Sequence, residues 1–233
     1  MVRSRQLAVC SVLLLAAGVA AAQAQDGEWV SYRDAYRAMV VFEKYGRPKH
    51  LIQSQLQVMP REKGVPVAGL RLALVGKSTR LNLPLDGAGR TVFPLLKAAY
   101  DDNAALVLNR KAGQYVLRPR VSLVVRPDGV YEAAELRAAC DQALGFARYA
   151  DASARSLTCA GVRFGYAGTG GAPVVRVRSG AAAAAALPAG AGPLFPDDPD
   201  DGFQTVLYRF GETPARGQVV TQEAPLAIMP VFE

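Results

Sequence analysis

The densest run of chemistry-bearing side chains is Asp197-Asp198-Pro199-Asp200-Asp201, four carboxylates in five residues. Carboxylates at this density can gather Ca²⁺, which takes roughly six to eight oxygens and tolerates irregular geometry. Asp197, Asp198, Asp200 and Asp201 are therefore the candidate metal ligands. The spacing is not that of a known calcium loop, Pro199 limits convergence, and a solvated acidic turn is the competing reading. Glu132 and Glu135 form a second carboxylate pair, one helical turn apart. Glycoside hydrolysis needs two carboxyls facing each other across a sugar, whereas a helix N-terminus accounts for both glutamates through its dipole.

Nucleophilic catalysis has less to work with. His50 is the only histidine, and no Gly-x-Ser-x-Gly elbow supplies a nucleophile for it to serve. No residue is assigned as catalytic. Gly168-Thr169-Gly170-Gly171 has no following Lys-Ser or Lys-Thr and no helix behind it, so it reads as a hairpin loop and not a phosphate cradle. No cofactor is expected.

Arginines are the other chemical theme. Arg118 and Arg120 share strand parity, as do Arg176 and Arg178, so each pair lies on one face of its strand. These four are the candidate ligand-binding residues, with Lys77, Arg80, Arg110 and Lys111 adding to the positive balance. Such faces suit an envelope protein or an anionic envelope component such as a phosphate-bearing lipid. Ordinary solvated sheet faces are the alternative. Aromatic residues do not interleave with the arginines, which argues against nucleic acid.

The ends and the cysteines say where this chemistry operates. Arg3 and Arg5 precede an apolar run from Leu7 to Ala22, and Ala22-Gln23-Ala24 follows. Basic region, hydrophobic region and A-x-A site together predict a secretory signal over residues 1–24 and a periplasmic product. The apolar run is short and Ala-rich for a membrane span, and no later stretch is apolar enough, so the mature chain is not expected to cross the membrane. Removing the signal leaves 209 of the 233 residues and lowers the net charge from +7 to +5. Cys140 and Cys159 remain, an even pair in an oxidising compartment, and are expected to form a disulfide. With one histidine and no further cysteine, a metal site at these thiols is disfavoured.

The elements that must position these groups read as an α+β chain of two tandem units. The first unit covers residues 25–126 and the second 127–233, each a helix followed by a small antiparallel sheet. A first helix starts near Ser31, a candidate cap, carries Tyr32, Tyr36, Met39 and Val40 on one face, and stops before Gly46 and Pro48. A second runs from Glu132 to Ala150, with Leu136, Ala139, Ala143, Leu144 and Ala147 as its stripe. Strands are expected over 70–74, 80–85, 105–109 and 115–125, then over 162–166, 174–178, 203–210 and 218–231. Pro119 predicts that the Tyr115–Val125 strand is an edge or carries a bulge, and that edge is a place where a partner strand could add. Short motifs recur after each helix: Val67–Leu72 matches Cys159–Phe164, and Val107–Arg110 matches Val206–Arg209. Residues 179–196, dominated by Ala, Gly and Pro, read as a flexible expanded loop.

Tyr32 and Tyr36, Leu83-Pro84-Leu85 and Gly161-Val162-Arg163-Phe164 resemble, over residues 30–166, a family of uncharacterised exported proteobacterial proteins. The resemblance implies export and the α+β fold, and carries no activity with it. The chain departs from that family in lacking cysteines in its first half and in carrying the Ala-rich loop. The sequence therefore favours a non-enzymatic binding or envelope-assembly module. A carbohydrate-acting or calcium-assisted hydrolase is the alternative.

Overall fold

The computed structural model describes residues 30–179, 184–199, 202–211 and 216–233; the expected signal segment lies outside them. In the first half, the short strand β1 (Val30–Ser31) runs directly into helix α1 (Tyr32–Lys44). Tyr32, Ala35, Met39 and Phe42 form its buried face, the helical spacing of a core-facing stripe. Ser31 makes no side-chain cap. The Tyr32 amide, one of the first-turn donors without an intrahelical partner, donates to the Ala104 carbonyl at 2.9 Å. There follow β2 (Ile52–Pro60), β3 (Leu72–Val75), β4 (Arg80–Leu83), β5 (Arg90–Thr91), the short helix α2 (Lys97–Asp101), β6 (Ala105–Leu108) and β7 (Tyr115–Leu123).

The second half opens the same way: β8 (Val130–Glu132) leads straight into α3 (Ala133–Ala150). After it come β9 (Cys159–Tyr166), β10 (Val175–Arg178), β11 (Ala185–Ala186), β12 (Ala189–Gly192), β13 (Phe203–Arg209), β14 (Gln218–Thr221) and β15 (Ala227–Phe232). Two expectations are corrected. The single strand expected over 218–231 is two strands in different sheets, parted by a segment that contains Pro225. Part of the loop expected over 179–196 is ordered: β12 pairs along β13 from Ala189–Val206 to Gly192–Phe203, and Leu194 and Phe195 are buried. Its alanines and glycines add an edge strand at little steric cost, while the next two large apolar residues anchor the segment.

Each half contributes a four-stranded sheet, in the orders β1-β6-β3-β4 and β8-β14-β10-β11, with every neighbour antiparallel. The remaining strands form one seven-stranded sheet, β12-β13-β9-β15-β7-β2-β5. That sheet is the spine, and α1 and α3 lie on one of its faces. Leu56, Val58, Leu72, Leu74, Leu106, Leu108 and Tyr115 close a core around Tyr32 in the first half. Leu136, Cys140, Val162, Phe164, Val177, Val206, Tyr208 and Ile228 do so in the second. Between them α1 meets α3 through aromatic edges, Phe42 on Phe146 at 5.2 Å and Tyr45 on Phe146 at 5.6 Å. Gly145 admits the Tyr45 hydroxyl, which would lie 2.5 Å from any Cβ built there.

The segments matched by motif in the sequence fall in different sheets. Leu72 opens β3 in a four-stranded sheet, whereas Cys159–Phe164 lies in β9 of the spine. Likewise Val107 and Leu108 end β6, while Val206–Arg209 belongs to β13. No helix of the described residues is long and apolar enough to cross a membrane.

Cys140 and Cys159 are bonded, with Cα atoms 6.0 Å apart, and tie α3 to the start of β9. Closing this loop removes chain entropy from the unfolded state, about 3 kcal/mol. Replacing both cysteines by alanine is expected to lower the urea-unfolding free energy by about 2–4 kcal/mol, read against the oxidised parent. An unchanged midpoint would contradict that assignment.

Candidate binding cleft between the two halves

The seven-stranded sheet has an apolar side under the helices and a second side that is polar along β2 and β7 and carries a small apolar cluster of Leu194, Phe195, Ala227 and Met229 toward β15. On β2 the apolar side carries Ile52, Leu56 and Val58, and the other carries Gln53, Gln55, Gln57 and Met59. Register places Arg118 beside Gln57 and Arg120 beside Gln55, so both arginines of β7 stand on this second side. Their fates differ. Arg118 is exposed, while the Arg120 side chain is 11 % exposed and fully engaged.

The Arg120 guanidinium donates through Nε to Gln57 Oε1 at 2.6 Å, through Nη1 to Asp197 Oδ1 at 2.5 Å and through Nη2 to Asp198 Oδ1 at 2.6 Å. Its Cζ lies over the Phe195 ring, 4.5 Å from the ring centre. Asp198 is 4 % exposed, and its Oδ2 accepts from the Phe195 amide at 3.1 Å and from Gln57 Nε2 at 3.4 Å. Burial lifts the Asp198 carboxyl above the usual carboxylate range, with the Arg120 charge pulling the other way. The residues singled out as metal ligands and as a basic face thus meet each other. Asp197, Asp198 and Arg120 are a structural clasp that holds the segment after β12 against β2 and β7. A second clasp lies nearby. Arg90, its side chain 2 % exposed, pairs with Asp86 at 2.7 Å and donates to the Leu226 carbonyl just before β15. Leu194 seats above Gly165, in a notch any Cβ would fill.

The other sequence-selected residues are placed as follows. Arg176 and Arg178 are exposed on the outer face of β10, alternating with buried Val175 and Val177. Asp200 and Asp201 lie outside the described residues, and no group of three or more His, Cys, Asp or Glu side chains among the described residues is arranged to hold a metal ion. Glu132 accepts from Gln218 at 2.8 Å, and Glu135 pairs with Arg126 at 3.1 Å. His50 lies exposed, its Nδ1 3.4 Å from the Gln142 amide nitrogen.

The feature that sequence reasoning saw only in part is the edge of β7. Toward β2 its pairing is complete, from Tyr115–Pro60 to Leu123–Ile52. Toward β15 it pairs only at Leu123–Ile228. Backbone parity tells which groups are left over. The Val58 amide donates to Gly89 on the β5 side, while Arg61 donates to the Gln114 carbonyl and Val124 to Leu51. Odd-numbered residues of this stretch of β2 therefore bond to even-numbered residues of β7. Leu117, Pro119 and Val121 turn their backbones the other way. Pro119 has no N–H to give, and Pro230 stands on β15 where the ladder would continue past Ile228, so two prolines end the pairing.

A groove runs along this open edge. Its wider part holds about 500 Å³ and is lined by Ala35 and Ala38 of α1, Leu56, and Val116, Leu117 and Pro119 of β7. A further 230 Å³ lies where β7 and β15 part, among Phe42, Val121, Ala143, Phe146, Pro230 and Phe232. Ala38 and Pro119 border both, so the two parts share walls between the helices and the sheet.

Arg120→Ala is expected to cost about 3 kcal/mol in urea unfolding, because it strands a buried carboxylate. Adding Asp198→Ala should recover part of that loss, and Arg118→Ala should stay within about 0.5 kcal/mol of the parent. Equal costs at Arg118 and Arg120 would contradict the clasp. Comparison of the chain with protein-family models, curated proteins and solved structures found no match.

Proposed function

We propose that the chain is an exported, non-enzymatic binding module of the periplasm, built from two tandem α+β units, whose working surface is the cleft between them. The observation that carries the reading is the unpaired edge of β7 beside an apolar groove of about 500 Å³. Concave, largely apolar surfaces with a few oriented polar groups are where proteins take ligands. The groups offered by sequence for catalysis support a binding role, because they are engaged elsewhere. Asp197 and Asp198 hold Arg120, Glu135 holds Arg126, and Glu132 holds Gln218. A calcium ion at Asp197 and Asp198 would have to displace a guanidinium.

The tandem reading rests on topology. Pairing β1 with β8, β6 with β14, β3 with β10 and β4 with β11 superimposes the orders of the two four-stranded sheets, and each opening strand feeds the long helix. In the spine, β5-β2-β7 then answers β13-β9-β15 about the Leu123–Ile228 pair. A face made where two such units meet belongs to neither alone. Export rests on the signal-like N-terminus and fits the disulfide. Arg118, Arg176 and Arg178 keep basic patches exposed on which an anionic envelope component would be met.

A photoreactive side chain placed at Ala38, inside the cleft, is expected to capture a discrete species in intact cells. The same group at exposed Arg47, on the loop after α1, should not. Identical adducts from both positions, or none from Ala38, would remove the cleft as the working surface.

A further inference from the structure

Resting on the cleft as the binding surface, we infer that its occupant is an extended polypeptide segment of a partner protein, added as a strand to β7. The lining alone would suit any slender apolar molecule. The backbone narrows the choice. Leu117 and Val121 each turn an N–H and a C=O into the cleft, and Pro119 adds a third carbonyl. Among the described residues no ladder pairing answers these groups, since this side of β7 is paired only at Leu123–Ile228. An acyl chain would cover them without answering them, and a buried unpaired backbone group costs as much as a lost hydrogen bond. A strand answers them at the right intervals, since alternate residues of β7 repeat every ~6.6 Å, two strand residues.

The geometry also states what the segment must be. Opposite Leu117 and Val121 it exchanges two bonds each, and opposite Pro119 it only donates, which makes five bonds along a span of five residues of β7. Alternate side chains of the segment then face α1 and α3. There Ala35 and Ala38 leave room along the groove, while Phe42, Phe146 and Phe232 wall an apolar recess near Val121. The segment is therefore apolar at alternate positions on that side. The opposite side chains emerge past Val116 toward the polar face of the sheet. Arg61 and Asp34 stand at the groove's wider part, so its mouth carries one charge of each sign.

The two prolines fit this role. Pro230 and Pro119 keep β15 from zipping onto β7, which holds the edge available, and a cleft roofed by two helices excludes a flat sheet edge from another folded molecule. Only an extended, separately mobile segment can thread it.

The test selects binders from a displayed library of random nonapeptides on the disulfide-bonded mature protein, then remakes the best binder with single N-methyl groups at each backbone position. Ala38→Trp, which fills the groove from an exposed helix position, is the control, and its fold is checked by thermal melting. Strand addition predicts an alternating-apolar consensus, a loss of at least tenfold in affinity for Ala38→Trp, and a two-residue periodicity in the N-methyl scan. In that scan alternate positions should lose tenfold or more and the interleaved ones little. A uniform scan with binding still sensitive to Ala38→Trp would overturn the strand and leave the cleft standing. So would palmitate binding lost in Ala38→Trp while no peptide is selected. Peptide binding indifferent to Ala38→Trp would overturn both.

Discussion

Arg120 is gripped from four directions: Gln57 beside it, Asp197 and Asp198 from the segment that follows β12, and the Phe195 ring across its plane. The first-half sheet supplies the arginine, and the second half supplies both carboxylates and the ring. With β7 and β15 meeting at one ladder pair, hydrogen-bonded sheet contributes little to holding the halves in register. The clasp does so from the polar side of the sheet, assisted by the buried Arg90 and its Asp86 and Leu226 partners. On the other side Phe42, Tyr45 and Phe146 join the helices through ring edges. The cleft keeps its shape because it is bounded above and below by contacts of different chemistry.

This division of labour explains how the chain can leave an interior strand half paired. A continuous ladder would hold the halves together more simply, and it would also close the groove. Proline at 119 costs β7 no bond to β2, because its missing N–H faces away from that strand. Proline at 230 likewise stays paired on β9 through register while denying β7 a donor. The stability forgone at this seam is recovered at Arg120 and in the aromatic contacts, away from the groove's backbone.

Sequence patterning showed the two long helices and most long strands, though not β2 or the short α2, since a stripe such as Leu136, Ala139, Ala143 and Leu144 depends only on neighbours along one element. It showed the disulfide too, because Cys140 and Cys159 are the two cysteines that follow the expected signal segment and leave one pairing. Pro119 was expected to mark an edge strand or a bulge, but β7 is an interior strand in unbroken register with β2, and the proline stands instead where its pairing toward β15 stops. Sequence missed that Asp198 and Arg120, 78 residues apart, would neutralise each other. Charge clusters read along the chain look like surface until a remote partner is placed against them. The expected motif matches fall in different sheets for a related reason. Short apolar motifs such as Val-x-x-Arg repeat by composition, whereas correspondence of strands is a property of pairing order, which no local motif records. The Ala-rich segment was taken for a loop because Leu194 and Phe195, its anchors, find their notch only at Gly165 and beside Arg120.

The most direct test of the open edge is residue-resolved amide hydrogen exchange along β7 in the free protein. Arg118 and Arg120 face β2, while Leu117 and Val121 face the cleft, so a single strand contains its own control. The account predicts alternation, with the Leu117 and Val121 amides exchanging on the order of a hundredfold faster than those of Arg118 and Arg120. Uniformly slow exchange from Val116 to Ser122 would mean that the edge is already occupied or closed, and would contradict the cleft as a place for a partner strand.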